Sequence, residues 1–118
     1  MQSKIKTELG VIAIENEVIA RAAGMAAMEC YGVVGMAAKN VKDGLVQLLK
    51  MESLTKGVRL GSADNALILD LHVIVEYGTN INAIADTLIQ NVRYKVEDHL
   101  GLPVREVNVY VEGVRVDA

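Results

Sequence analysis

Between Ala66 and Val116 the hydrophobic period changes twice, and this limits the folds open to the chain more than any other feature. Leu67, Leu69, Leu71, Val73, Val75 and Tyr77 alternate with Asp70, His72 and Glu76. A two-residue period marks a half-buried strand. Gly78-Thr79-Asn80 then breaks the alternation and offers groups able to cap a helix. From there the period is helical: Ile81, Ile84, Ala85, Leu88, Val92, Val96 and Leu100 form one stripe, and Asn82, Asp86, Gln90, Arg93 and Glu97 face away. Leu100-Gly101-Leu102-Pro103 supplies a glycine for a left-handed cap and a proline that stops the helix. Val107, Val109 and Val111 alternate with Glu106, Asn108, Tyr110 and Glu112 as a second strand. The helix must lie across the apolar face of both strands.

The upstream half supplies the remaining elements. Lys4 to Ile14 reads as a first strand with Ile5, Leu9, Val11 and Ala13 on one side, and with a bulge or close backbone approach at Gly10. Asn16 is the expected N-cap of a helix from Glu17 to about Cys30, and Glu17 suits its dipole. From Val18 to Met28 the sole charge is Arg21, so this helix is expected to be buried on more than one side. Another helix or another subunit could cover the second side. The subunit contact is the preferred reading, which makes Val18, Ala22, Met25 and Met28 a candidate partner or self-association surface.

Tyr31 to Met36 reads as a glycine-punctuated turn, followed beyond Lys39-Asn40 by a short helix with Val41, Leu45, Leu48 and Leu49 inward, ending near Met51. Gly57 to Leu60 is a short strand, and Gly61 to Asn65 a hairpin loop. The order strand-helix-(short helix)-strand-strand-helix-strand predicts an α+β two-layer sandwich with its helices on one face of a small sheet. Without the short helix it is the split βαβ order of ferredoxin-like folds, although the strand order is left open. No repeat or linker divides the 118 residues, so one domain is expected.

A net charge of -3 without a basic stripe argues against a general polyanion binder. The absence of Phe and Trp leaves little surface for stacking bases. Cys30 is the single cysteine, which excludes an internal disulfide and a cysteine metal cluster and fits a reducing cytosol. No secretory signal is visible. The weakly charged run from Arg21 to Lys39 is short of the ~20 apolar residues of a membrane span and contains Glu29. A soluble protein is expected.

No catalytic set stands out. Asp70, His72 and Glu76 share a strand face, and a His–carboxylate pair could hold a metal or transfer protons. An exposed sheet face needs such alternating polar residues anyway, and that reading is preferred. His99 sits where an imidazolium complements a helix end. Gly32-Val33-Val34-Gly35 has the GXXG form that clamps nucleic-acid backbones in KH domains, placed between two expected helices. Its central valines and the acidic chain weaken that alternative, and a helix C-cap with a tight turn explains the same residues. Phosphate-loop and dinucleotide fingerprints are absent. Cys30 is expected to be a buried, inert thiol. Met25 and Met28 suit packing or an adaptable partner surface. No catalytic, cofactor or metal residues are assigned.

Several segments together resemble a known family. Val73-Ile74-Val75-Glu76-Tyr77-Gly78, the amphipathic helix after it, His99 to Val104, and Val107 to Val114 are similar to the alkaline shock, or Gls-type, envelope stress response family of Gram-positive bacteria. Gly10 to Ile14 with Glu17 to Ala20, and Tyr31 to Met36, look like the matching first half. Short length and Lys42-Asp43-Gly44-Leu45 are most similar to YloU-like short members. The resemblance spans nearly the whole chain, as one alkaline-shock-type domain, residues 1–118. It implies a cytoplasmic, non-enzymatic protein of envelope homeostasis, without cofactors. Members like this one are often encoded beside a kinase of the dihydroxyacetone or fatty-acid type, which implies a link to lipid metabolism. The expected partners are envelope- or lipid-associated proteins and further copies of the chain, with membrane contact indirect through a partner and nucleic acid not expected.

Overall fold

The computed structural model describes residues 2–39, 46–48 and 55–116. Its central element is β6 (Ala66–Glu76), along which burial alternates without a break. The even residues face one side of the sheet, and Leu67, Leu69, Leu71, Val73 and Val75 face the core. One edge of β6 pairs in parallel with β7 (Val104–Arg115) over nearly its whole length. The other edge is shared end to end by two antiparallel strands. β5 (Val58–Ala63) lies beside the first half of β6, and β3 (Val33–Lys39) beside the second. β4 (Val46–Leu48) extends the sheet beyond β3.

The unit read from Ala66 onward has the expected order. α2 (Ile81–Leu100) connects β6 to β7, which makes their parallel pairing possible. Asn80 caps its start, its side chain accepting a hydrogen bond from the Ala83 N–H at 3.2 Å. Gly101 ends it in the left-handed region at φ 70°, where a Cβ is costly. Ile84, Leu88, Val92 and Val96 are buried against the sheet, and the five polar positions expected outside are all exposed. Ile81 and Tyr77, expected inside, are exposed, because β6 stops at Glu76 and the chain is turning there. The β5–β6 loop is two residues long, where the sequence suggested five. Asp64 and Asn65 both take positive φ, as a type I′ hairpin requires, and both residue types tolerate it.

The first half departs further from expectation. Lys4 to Ile14 is two strands. β1 (Gln2–Thr7) and β2 (Gly10–Glu15) form a hairpin that is a separate two-stranded sheet. The Thr7 hydroxyl closes the turn, donating to the Gly10 carbonyl at 3.1 Å and accepting from the Leu9 N–H at 3.3 Å. The ferredoxin-like order therefore does not hold, since no N-terminal strand enters the main sheet. Ile5, Ile12 and Ile14 share one face of the hairpin, so the face assignment of Leu9, Val11 and Ala13 is also corrected. α1 (Asn16–Met28) begins one residue earlier than expected, with Glu15 at the N-cap.

Of the expected short helix, the described part, Val46–Leu48, is a strand paired with Ala37 to Lys39; its other residues lie outside the described ones. Both helices nonetheless pack on one face of the sheet, giving an α+β fold. The core unites Ile19, Ala23 and Ala27 of α1 with Leu88, Val92 and Val96 of α2 and with the odd residues of β6. The small residues of α1 let it approach closely on two sides, toward the sheet and toward α2.

Candidate docking surface

Burial divides α1 into three faces. Ile19, Ala20, Ala23, Gly24, Ala26 and Ala27 are buried against the sheet and α2, so the second buried side is in part intramolecular. At the seam between the helices, Asn91 of α2 donates to the Ala26 carbonyl at 2.8 Å. On the remaining face Val18 stays 50% exposed and Met25 48% exposed. Ala22 and Met28 are partly buried beside them. The structure thus brings Val18, Ala22 and Met25 together in one groove of about 490 Å³, rimmed by Glu15, Glu17 and Arg21. Met28 is not part of that lining and packs partly on the core. Arg21 and Glu17 form an exposed ion pair at 3.8 Å, one turn apart. Such a pair contributes little stability. Its effect is to put polar rims around an apolar floor.

The uncovered face of the main sheet carries the other candidate residues. Asp70, His72 and Glu76 share it, as their spacing requires, but each of the first two is already engaged across to β7. His72 Nδ1 lies 2.8 Å from Glu112 Oε1, and its ring stacks on Tyr110 with centroids 4.9 Å apart. Asp70 accepts a hydrogen bond from Asn108 Nδ2 at 2.9 Å. Glu112 reaches the histidine because β7 bulges there: the register passes from Val73–Val111 to Ile74–Gly113, leaving Glu112 as the extra residue. A bulge of this kind left no sign in the alternation of the sequence. These contacts tie β7 to β6. Among the described residues no group of three or more His, Cys, Asp or Glu side chains could hold a metal ion.

Two other candidates change character. Gly32-Val33-Val34-Gly35 is not a loop between helices. Val33 already begins β3, pairing with Val75, and Gly35 pairs with Ile74. β-branched valines favour that outcome. The free backbone that a KH-type clamp presents is thereby engaged in a sheet. Cys30 is buried, and its thiol contacts the Ala26 carbonyl at 3.6 Å. Burial pushes its pKa up, with the Asn91 contact acting in the opposite direction. A raised pKa keeps the thiol protonated and poorly nucleophilic. His99 lies in the exposed last turn of α2, 3.8 Å from Asp98. No helix of the described residues is long and apolar enough to cross a membrane.

Residues 4–116 match the model of the alkaline shock protein 23 family, described as having a cell envelope-related function. The chain is 45% identical over 117 residues to protein YloU of Bacillus subtilis (strain 168), covering 98% of both chains. It is 32% identical over 111 residues to protein YqhY of the same organism, covering 94% of this chain and 82% of that one. A stress response regulator Gls24 homologue of Streptococcus pyogenes serotype M3 is 28% identical over 109 residues, covering 90% of this chain and 59% of the regulator. No solved structure matches. On the family model and on the full-length similarity to YloU, this chain belongs to the alkaline shock protein family.

Proposed function

We propose that the protein is a non-enzymatic interaction module of the cell-envelope stress response, docking to other proteins through the uncovered face of α1. The carrying observation is the apolar groove of Val18, Ala22 and Met25 on a helix whose other sides are already filled. A large aliphatic residue half in water on a buried helix forgoes roughly 1 kcal/mol of burial, which a partner would recover. Polar rims around an apolar floor are the usual anatomy of a protein interface. The partners are envelope or lipid-metabolism proteins, met in the cytoplasm or at the membrane surface through one of them.

The test is capture of the tagged protein from its own cells, with and without nuclease, beside the variant Val18→Asp/Met25→Asp. Nuclease-resistant envelope or lipid-metabolism proteins that the variant loses support the reading. Partners that vanish with nuclease, or that the variant keeps, overturn it.

A further inference from the structure

β7 is an edge strand. It pairs with β6 on one side, and on the other no strand among the described residues pairs with it. A long open edge invites pairing with a further chain, and natural edges are blunted by bulges, proline or lysine. The irregularities of β7 fall at Arg105 and Glu112, the two residues its register with β6 passes over. The Arg105 carbonyl is also taken, accepting from Arg93 of α2 at 2.8 Å. Between these points residues 106–111 run regularly, without proline or lysine and with Glu106 as their sole charge. The apolar face of this run is unfinished. Val107, Val109 and Val111 stand level with Leu69, Leu71 and Val73 of β6 and so point toward the helices. The helix layer buries Val73 and Val75, yet their β7 neighbours Val111 and Val114 stay 36% and 47% exposed. The layer therefore stops short of the edge. Ala85 and Ile89 of α2, in the four-residue row that ends at Arg93, flank the strip left open.

From these features we infer that two copies of the chain pair antiparallel along β7, about a two-fold axis perpendicular to the sheet. Three features select a second copy as the occupant. Such an axis keeps both faces in place, so the valines of one strand meet those of the other, and polar residues meet polar ones on the opposite face. The open strip also needs more than a strand. A bare peptide would pair with the edge and leave the valines in water, whereas a copy brings its own α2. Strands lie about 4.8 Å apart, so two α2 helices over their β6–β7 gaps stand about 10 Å apart across the axis, the spacing of packed helices. Size points the same way. Strand and helix together approach the roughly 800 Å² per partner of a standard interface, which a short peptide strand does not reach. This surface is separate from the α1 groove, and the inference does not depend on the docking reading.

Sedimentation and cysteine linking of the full chain test the inference. The wild type is expected to dimerise at micromolar concentrations. Val111→Lys should weaken the dimer by roughly 100-fold, since each copy then carries a charge into the apolar strip. The unfolding midpoint of its monomer should hardly move, because that side chain already reaches water. Asn108→Cys, Val109→Cys and Tyr110→Cys, each in a Cys30→Ala background, locate the axis. A residue on the axis faces its own copy at about 4.5–5.5 Å between Cα atoms, within disulfide reach. One of the three should therefore link two chains under mild oxidation, and Gln90→Cys on the exposed side of α2 should not. A monomeric wild type, a dimer that none of the three links, or a Val111→Lys variant that dimerises like the wild type overturns the inference. Val18→Asp/Met25→Asp should dimerise like the wild type. A loss there would put the dimer on α1 and overturn the inference, while the docking reading stands or falls on partner capture.

Discussion

α1 and α2 lie in the same layer on the same sheet, yet they solve different problems. α2 is 20 residues long and has one apolar stripe and one solvated face. Within one copy every side of it is accounted for by the sheet, by α1 or by water. α1 is 13 residues long and carries a single charge from Val18 to Met28. Ile19 with alanine and glycine fills the two sides that meet the sheet and α2, and a third apolar side is left uncovered by the described residues. A helix whose polarity matches its surroundings is a structural part. One with more apolar surface than the described residues around it cover is suited to contact something else.

The comparison can be broken at its strongest point. Leu88 is fully buried at the middle of α2, so Leu88→Ala should cost about 2–5 kcal/mol, read as a lowered denaturant midpoint at unchanged slope. Val18→Asp on α1 should shift the midpoint by no more than about 0.5 kcal/mol, because its side chain is half in water already. Similar losses from both would mean that α1 has no spare face in the folded monomer. The helix starts offer a second, smaller contrast. Asn80→Ala removes the hydrogen bond to the Ala83 N–H and should cost about 1 kcal/mol. α1 has no side-chain cap bond at Glu15 to lose. A neutral Asn80→Ala would show that packing alone holds the start of α2.

The same two halves differ in how much the sequence disclosed. From Leu67 onward, period, cap and stop signals agreed with the tertiary structure, so β6 and α2 were legible almost to the residue. The C-terminal strand was legible in its middle, but it runs from Val104 to Arg115 and leaves Val111 exposed. Alternation cannot show an extra residue in a strand, and so the Glu112 bulge, with its hold on His72, was not legible. In the first half, Gly10 was read as an interruption within a strand, whereas the Thr7 hydroxyl makes it the end of a turn. Gly32-Val33-Val34-Gly35 looked like a loop because glycines flank it, but paired strands decide the conformation of valines between them. Of the four candidate residues on α1, Val18, Ala22 and Met25 line one groove because they share a helical face, and Met28 does not. The hairpin beside them was invisible as a separate sheet, because pairing depends on where other elements stop.

The smallest expected effect lies at the seam between the two helices. Asn91 donates to the Ala26 carbonyl and lies 3.8 Å from Cys30 Sγ, so the end of α1 and the middle of α2 are joined through polar contacts. Burial raises the Cys30 pKa in the folded chain above its ordinary value of 9.0. The unfolded chain therefore loses the thiol proton first as pH rises. Between the two pKa values the folded state holds more protons, and stability falls with increasing pH. The contribution is complete below about pH 9 and is lost as pH rises through the folded value. Cys30→Ala removes this slope while leaving every other titration in place. The difference in unfolding midpoint between wild type and variant should be constant from pH 6 to about 8.5 and then move in favour of the variant at higher pH. A constant difference up to about pH 10.5 would mean that the thiolate is solvated in the folded chain, and that the seam opens where α2 was expected to hold it closed.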